Sequence, residues 1–231
     1  MAISSTHHDL SLALSFSTGK DAAYALLRLI EEGRRPRALL TTLSADYRRV
    51  TMHGVSEPLV DLQAEAIGLP LVKVFLPNPS PNEVYERLMA SASRAMKQAG
   101  IEQVAFGDLL LEDIRRYREE AMKRGGMEAL FPIFGGSTWE RARAIVDSGI
   151  EAYIVCVDCA RLDPSFLGRR FDRALLDDLP SGVDPAGENG EFHTFVVDAP
   201  FFRSRIDVVS GDTIERDGFA WLELSPAGFS R

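Results

Sequence analysis

Leu12-Ala13-Leu14-Ser15-Phe16-Ser17-Thr18-Gly19-Lys20-Asp21 reads as an apolar strand that breaks into a small, basic turn. Directly after it, Ala22, Ala23, Leu26, Leu27 and Ile30 recur at helical spacing as far as Gly33, so the turn opens a helix. A helix N-terminus leaves backbone N–H groups unsatisfied and carries partial positive charge, which makes it an anion site. The residues around it suit a polyphosphate. Ser15, Ser17, Thr18 and Gly19 are small enough for backbone amides to come close, their hydroxyls donate hydrogen bonds, and Lys20 adds a point charge. The turn is not a Walker A loop, which needs Gly five positions before the Gly-Lys pair and Ser or Thr after it; Leu14 and Asp21 stand there.

Beyond this turn, short apolar runs alternate with helical patterns, the signature of a parallel sheet wrapped by helices. Strands are predicted at Leu12 to Phe16, Ala38 to Leu43, Leu71 to Leu76, Val104 to Asp108, Ala129 to Ile133 and Ala152 to Val157. Helices are predicted from near Ser56 to Gly68, from Asn82 to Gln98, from Leu111 to Lys123, and from a capping-box pattern at Ser137-Thr138-Trp139-Glu140. After about residue 160 the pattern changes. A helical piece, Phe171 to Leu179, ends at Pro180, and strands follow with a turn at Asp217-Gly218. The expected architecture is α/β: a doubly wound parallel sheet with a smaller C-terminal α+β domain. Gly125-Gly126 and Phe131-Pro132 are the clearest punctuation, and they divide the chain into residues 1–125 and 126–231.

Composition limits the class. The 231 residues are 45% hydrophobic, enough for one substantial core or two small ones. The net charge of −8 argues against a broad nucleic-acid face, although Arg34, Arg35 and Arg37 offer a local basic pocket near Lys20. His7, His8 and Asp9 do not resemble a secretory leader, and nowhere are there ~18 consecutive apolar residues to span a membrane. A cytoplasmic protein with neither nucleic acid nor membrane as a partner is expected, and a homo-oligomer is compatible with it. Cys156 and Cys159 have C-x-x-C spacing, yet no second pair completes a zinc site, and Cys156 ends an apolar run as a core residue does.

Open parallel sheets bind ligands at the carboxyl ends of their strands, beside the point where strand order reverses. Thr42 after the second strand and Gly107-Asp108 after the fourth then share a crevice with the opening turn. Asp108 is placed to hold Mg²⁺ or a substrate amine, or simply to cap the helix that follows it. Asp21 is a second candidate for magnesium, or an early-turn acid favoured by the helix dipole. A further cluster, Gly187-Glu188-Asn189-Gly190-Glu191-Phe192-His193-Thr194, is polar for a segment entering a strand. If extended, it sets Glu191 and His193 on one face and Phe192 and Thr194 on the other. Two carboxylates and an imidazole suit acid–base work or the positioning of an amine, whereas the plain alternative is a turn and an edge strand.

Phe16-Ser17-Thr18-Gly19-Lys20-Asp21 resembles the S-G-G-K-D-S loop of PP-loop ATP pyrophosphatases, and Gly187 to Pro200 resembles the G-E-x-G-E-[YF]-x-T-x-x-x-D-x-P stretch of the diphthine–ammonia ligase family. Together with Phe106-Gly107-Asp108 the two motifs cover most of the chain. The resemblance implies a Rossmann-like, PP-loop domain of the adenine nucleotide α-hydrolase type, followed by a substrate-binding domain. It implies an ATP- and magnesium-dependent ligase that adenylates a carboxylate, releases pyrophosphate, and lets ammonia displace AMP. Carried over residue by residue, it assigns Ser15, Ser17, Thr18, Gly19, Lys20, Asp21, Thr42 and Gly107 to the nucleotide. Glu188, Asn189, Glu191, His193 and Thr194 fall to the substrate, Lys20, Asp21, Asp108, Glu188 and Glu191 to catalysis, and Asp21 and Asp108 to the metal.

The chain departs from the family pattern at Thr18, which replaces the second loop glycine, at Ala22, which replaces the final serine, and at Phe192-His193, where a Tyr-Glu pair is common. Loss of one hydroxyl donor at Ala22 costs about 0.5–1.5 kcal/mol, which leaves the phosphate site intact. His193 removes an acid, so the carboxylate substrate need not be cationic. Two other readings make different predictions. A non-catalytic nucleotide-binding module binds ATP without releasing AMP, and a metal-dependent hydrolase built on Glu188, Glu191 and His193 works without ATP and stops with chelator.

Overall fold

The structure, a computed structural model, describes residues 11–228, so His7, His8 and Asp9 lie outside the described residues. Its first half is a five-stranded parallel sheet in the order β3-β2-β1-β4-β5. The strands are β1 (Leu12–Ser15), β2 (Ala38–Ser44), β3 (Leu71–Leu76), β4 (Gln103–Ala105) and β5 (Glu128–Leu130). They alternate with helices α1 (Lys20–Glu31), α2 (Glu57–Ile67), α3 (Asn82–Gln98) and α4 (Glu112–Arg124).

Strand alternation decides which helix covers which face. Leu12 and Leu14 of β1 pack with Leu26 and Leu29 of α1 and with Ala64 and Ile67 of α2, while Ala13 turns to Met96 of α3 and Met122 of α4. Both faces of the sheet are therefore covered, and the order reverses between β1 and β4, where the Ser17 to Asp21 turn emerges. Strands β4 and β5 are shorter than the sequence predicts. Because β5 pairs in parallel with β4, from Gln103↔Glu128 to Ala105↔Leu130, the first sheet runs past Gly125-Gly126, and we place the division after Leu130.

Helix α5 (Thr138–Asp147) leads into the second sheet. Ser137 occupies its N-cap with an extended backbone, but its side chain makes no capping bond, so the predicted box does not close. Strands β6 (Glu151–Asp158), β7 (Phe192–Asp198), β8 (Val208–Arg216) and β9 (Phe219–Pro226) form an antiparallel sheet in the order β7-β6-β9-β8. The 3₁₀ turn Pro164–Phe166 and helix α6 (Arg173–Asp178) lie between β6 and β7. Asp217 and Gly218 join β8 to β9 with φ of 52° and 83°, as a tight hairpin turn requires. No helix among the described residues is long and apolar enough to cross a membrane.

The second sheet is wedged against the first half by both of its faces. On one side Ala152, Ile154, Phe192 and Val196 pack with α5, α6 and Ala23 of α1; on the other, Val155, Phe195 and Val197 meet Leu43, Val50, Val55 and Leu59. This brings β7 onto the opening turn. Leu14, fully buried at the centre of the parallel sheet, tests the shared core. Leu14→Ala should lower unfolding free energy by about 2–5 kcal/mol in a denaturant titration. A loss below about 1 kcal/mol would show that the sheet is not packed as described.

Candidate active site

At the carboxyl edge between β1 and β4, the amides of Ser17, Thr18 and Gly19 donate to no protein acceptor among the described residues. They lead straight into the N-terminus of α1, so the loop presents a row of free donors at the positive end of a helix dipole. Gly107 at the end of β4 keeps this place open. A Cβ there would come within 3.0 Å of the Ala22 amide nitrogen, so a side chain would close on the first turn of α1. Thr42 lies at the same edge, its hydroxyl 2.9 Å from that of Thr51. A cleft of about 560 Å³ opens alongside, at the ends of β2 and β3, with Thr51 and Met52 on one wall and Ile214 and Trp221 of the second sheet on the other.

The side chains of the loop are arranged differently from the sequence expectation. Lys20 is 2% exposed. Its ammonium donates to Ala186 O and, at 2.8 Å, to Asp21 Oδ2, and it lies 5.2 and 5.3 Å from the ring centroids of Phe171 and Phe192. It thus sits beneath the loop as a buried charge, rather than standing free in the crevice. Asp21 Oδ1 is buried with no partner, as is Thr18 Oγ1. Arg34, Arg35 and Arg37 belong to the opposite edge of the sheet, since they follow the C-terminus of α1. They bond there to Gln103, Ile67 O and Ser11, so the expected basic pocket near Lys20 does not form.

Asp108 reaches the crevice but is not free to take a ligand, because both carboxylate oxygens are held by the Arg118 guanidinium from α4, which also lies over the Phe106 ring. Glu188 Oε1 accepts from the Leu110 amide at 2.8 Å and so caps the approach to α4. Burial, followed by the nearby Asp21 charge, pushes the Glu188 carboxyl above its ordinary value. Glu191 faces inward and is 1% exposed; it accepts from the amides of Asp184 and Asn189 and from Asn189 Nδ2. Burial alone would raise its carboxyl, but these donors outweigh it and hold it below the usual range. Glu191 therefore staples the 184–191 loop, and Asn189 is spent on it.

Strand β7 completes the loop. Thr194 Oγ1 accepts from Lys20 N at 3.0 Å, taking the place of a side-chain cap on α1, while the Val196 amide donates to Thr18 O at 3.0 Å. His53, which drew no notice in the sequence, packs against Gly19 and the His193 ring. Its Nδ1 is 3.1 Å from Thr194 O, the two ring centroids are 4.6 Å apart, and a Cβ on Gly19 would meet His53 Cε1 at 2.8 Å. Gln63 was also missed. It is the one polar residue among the buried positions of α2, and that break in an apolar stripe between Leu59 and Ile67 was a readable signal. Nothing in the local pattern marked His53.

Two models of one family match the chain. The model described as the diphthamide synthase N-terminal domain covers residues 11–129, and the C-terminal domain model covers residues 137–223. The chain belongs to the diphthamide synthase family. The diphthine–ammonia ligase of Rattus norvegicus is 30% identical over 94% of this chain and 91% of its own length; that of Homo sapiens is 28% identical over 91% and 88%. A predicted subunit of a tRNA methyltransferase from Methanocaldococcus jannaschii aligns over 85% of this chain and 100% of its own at 15% identity. Its TM-score is 0.42.

In this member of the diphthamide synthase family both imidazoles are kept neutral. Burial, then the His193 ring, holds His53 well below its ordinary value; burial, then the Lys20 charge, lowers His193 to about 4. An imidazole released on unfolding returns to its ordinary value of 6.5, so between these values the unfolded chain binds more protons. Stability from this pair is complete above pH 6.5 and is lost as pH falls towards 4. For His193 alone, lowering the pH from 7.5 to 5 should cost about 2 kcal/mol. The difference should shrink in His193→Gln, and parallel pH curves for variant and wild type would refute it.

Proposed function

We propose that this chain is an ATP-dependent ligase that adenylates a substrate carboxylate and converts it to an amide with ammonia. The observation that carries this reading is the loop at the reversal point of the sheet. Its free Ser17, Thr18 and Gly19 amides face a ligand site at the N-terminus of α1, with a buried lysine charge behind them. Family membership and relatives named diphthine–ammonia ligase support the same reaction class.

In the first step a carboxylate oxygen attacks the α-phosphorus of ATP and pyrophosphate leaves. The amides and the dipole of α1 stabilise the charge that collects on the leaving group, and Lys20 strengthens that field from below. In the second step ammonia attacks the acyl carbon, AMP departs with the former carboxylate oxygen, and one proton is released. To Glu188, whose carboxyl is pushed up by burial and the nearby Asp21 charge, we assign the receipt of that proton. Asp108 and Glu191 act by holding Arg118 and the 184–191 loop. The cleft beside Thr51 is the room left for the nucleoside.

No group of three or more His, Cys, Asp or Glu side chains among the described residues could hold a metal ion. The unpartnered Asp21 Oδ1 nevertheless fits the single carboxylate through which magnesium is commonly held together with phosphate oxygens. When bound, magnesium neutralises charge on those oxygens. The amidated substrate is a carboxylic acid, in a protein side chain or a small molecule.

The test is AMP and pyrophosphate release from ATP, magnesium and ammonium against a panel of carboxylic acids. Lys20→Met and Asp21→Asn should each lower AMP release by about 100-fold with the fold retained. ATP binding without AMP in the wild type, ADP as the product, or wild-type AMP release in both variants would contradict the proposal.

A further inference from the structure

Thr18 is the strained point of the loop. It is β-branched and fully buried, its φ is 77°, in the left-handed region that glycine enters freely, and its hydroxyl has no partner. A residue persists in such a conformation only where its surroundings over-determine it. Here the determining contacts converge on its carbonyl. Thr18 O accepts from the Val196 amide at 3.0 Å and from Gln63 Nε2 at 3.1 Å, and the same Nε2 donates to Val196 O at 2.6 Å.

Gln63 is fully buried on the face of α2 that otherwise carries Leu59, Ala64 and Ile67. An amide in that position is costly unless its donors are used, and both bonds made by Nε2 run to the loop and to β7. The peptide plane makes the consequence directional. Across a trans peptide the carbonyl of Thr18 and the N–H of Gly19 point in opposite directions. Pinning Thr18 O inward against Gln63 and Val196 aims the Gly19 amide outward, away from the protein acceptors, where no bond from it is made among the described residues.

We propose that Gln63 is a positioning residue for the phosphate-binding loop: its side-chain amide clamps the Thr18 carbonyl to β7 and so points the Gly19 N–H at the ligand. The clamp is also the contact through which α2 joins the two halves of the site. It explains how this chain tolerates threonine at a position where the PP-loop motif it resembles has glycine. The proposed ligand of the loop rests on the ATP reading above, but the clamp itself can be tested without it.

Gln63→Leu keeps the side-chain volume and removes the donor. Hydrogen exchange of the Lys20 and Val196 amides, which are bonded across the contact between the loop and β7, should speed up by about 10-fold in the full chain of this variant. The dissociation constant for ATP, measured by equilibrium dialysis, should rise by about 10-fold, about the value of one ordinary hydrogen bond, and KM for ATP should rise with kcat within about threefold. Adding Thr18→Gly to Gln63→Leu should recover most of the lost affinity, because glycine takes a positive φ without strain. If Gln63→Leu does not fold, Gln63→Asn, one methylene too short to span both acceptors, takes its place with the same expected direction. Unchanged exchange and affinity in a folded variant, or no recovery with Thr18→Gly, overturns the clamp. If the wild type binds no ATP, the nucleotide reading fails, and the exchange rates alone decide whether the clamp exists.

Discussion

The contact between the Ser17–Asp21 loop and β7 governs the rest of the site. Thr194 Oγ1 caps the N-terminus of α1 from another sheet, and Val196 N binds the carbonyl of Thr18. A phosphate loop in an open parallel sheet is made from the sheet's own first turn, yet here its conformation is imposed by a strand more than 170 positions away along the chain. The two halves therefore build one site between them. The first supplies the donors and the dipole; the second fixes their direction and seals the underside.

That sealing also explains the treatment of charge. Lys20 is enclosed by Asp21, Ala186 O and the rings of Phe171 and Phe192, so the desolvation cost of burying an ammonium is offset by one carboxylate, one carbonyl and two aromatic faces. The same proximity of Lys20 discourages protonation of His193, and the two neutral imidazoles fill the space between Gly19 and β7 without adding charge. Carboxylates near the crevice are restrained in the same manner: Asp108 by Arg118, Glu191 by its own loop, Glu188 by the Leu110 amide. Only Asp21 Oδ1 among them is buried and unpartnered. A site with its charges paired and its amides free is suited to a polyanion, because the arriving phosphates do not have to displace existing salt bridges.

Much of this fold was legible because its signals are periodic. The apolar strands, the stripe from Ala22 to Ile30 and the stop at Gly68 are local, and the structure places elements at each. The turn-rich stretch after Pro180 signalled a change of architecture, but the antiparallel sheet starts earlier: β6, read from the sequence with the parallel strands, pairs antiparallel with β7 and β9, its partners distant in sequence. What was hidden depends on partners distant in sequence. Asp108 and Glu191 looked like free acids because their donors come from a helix surface and a folded-back loop. Arg34 to Arg37 looked close to Lys20 because one helix separates them, but a helix carries the chain to the other edge of the sheet. His53 gained importance only when β7 brought His193 to within 4.6 Å. Gln63 was the exception, a polar residue at a core position of an apolar stripe, whose partner could not be named without the fold.

The central claim is that a carboxylate oxygen joins the α-phosphorus of ATP at this site while the loop holds the pyrophosphate that leaves. It is tested most directly by following that oxygen: the protein is incubated with ATP, magnesium, ammonium and carboxylic acids labelled with oxygen-18, and the phosphate of the nucleotide product is analysed by mass. The account predicts AMP carrying one labelled oxygen from the acid that is amidated. Label confined to the acid or to inorganic phosphate, with ADP as the nucleotide product, would contradict it.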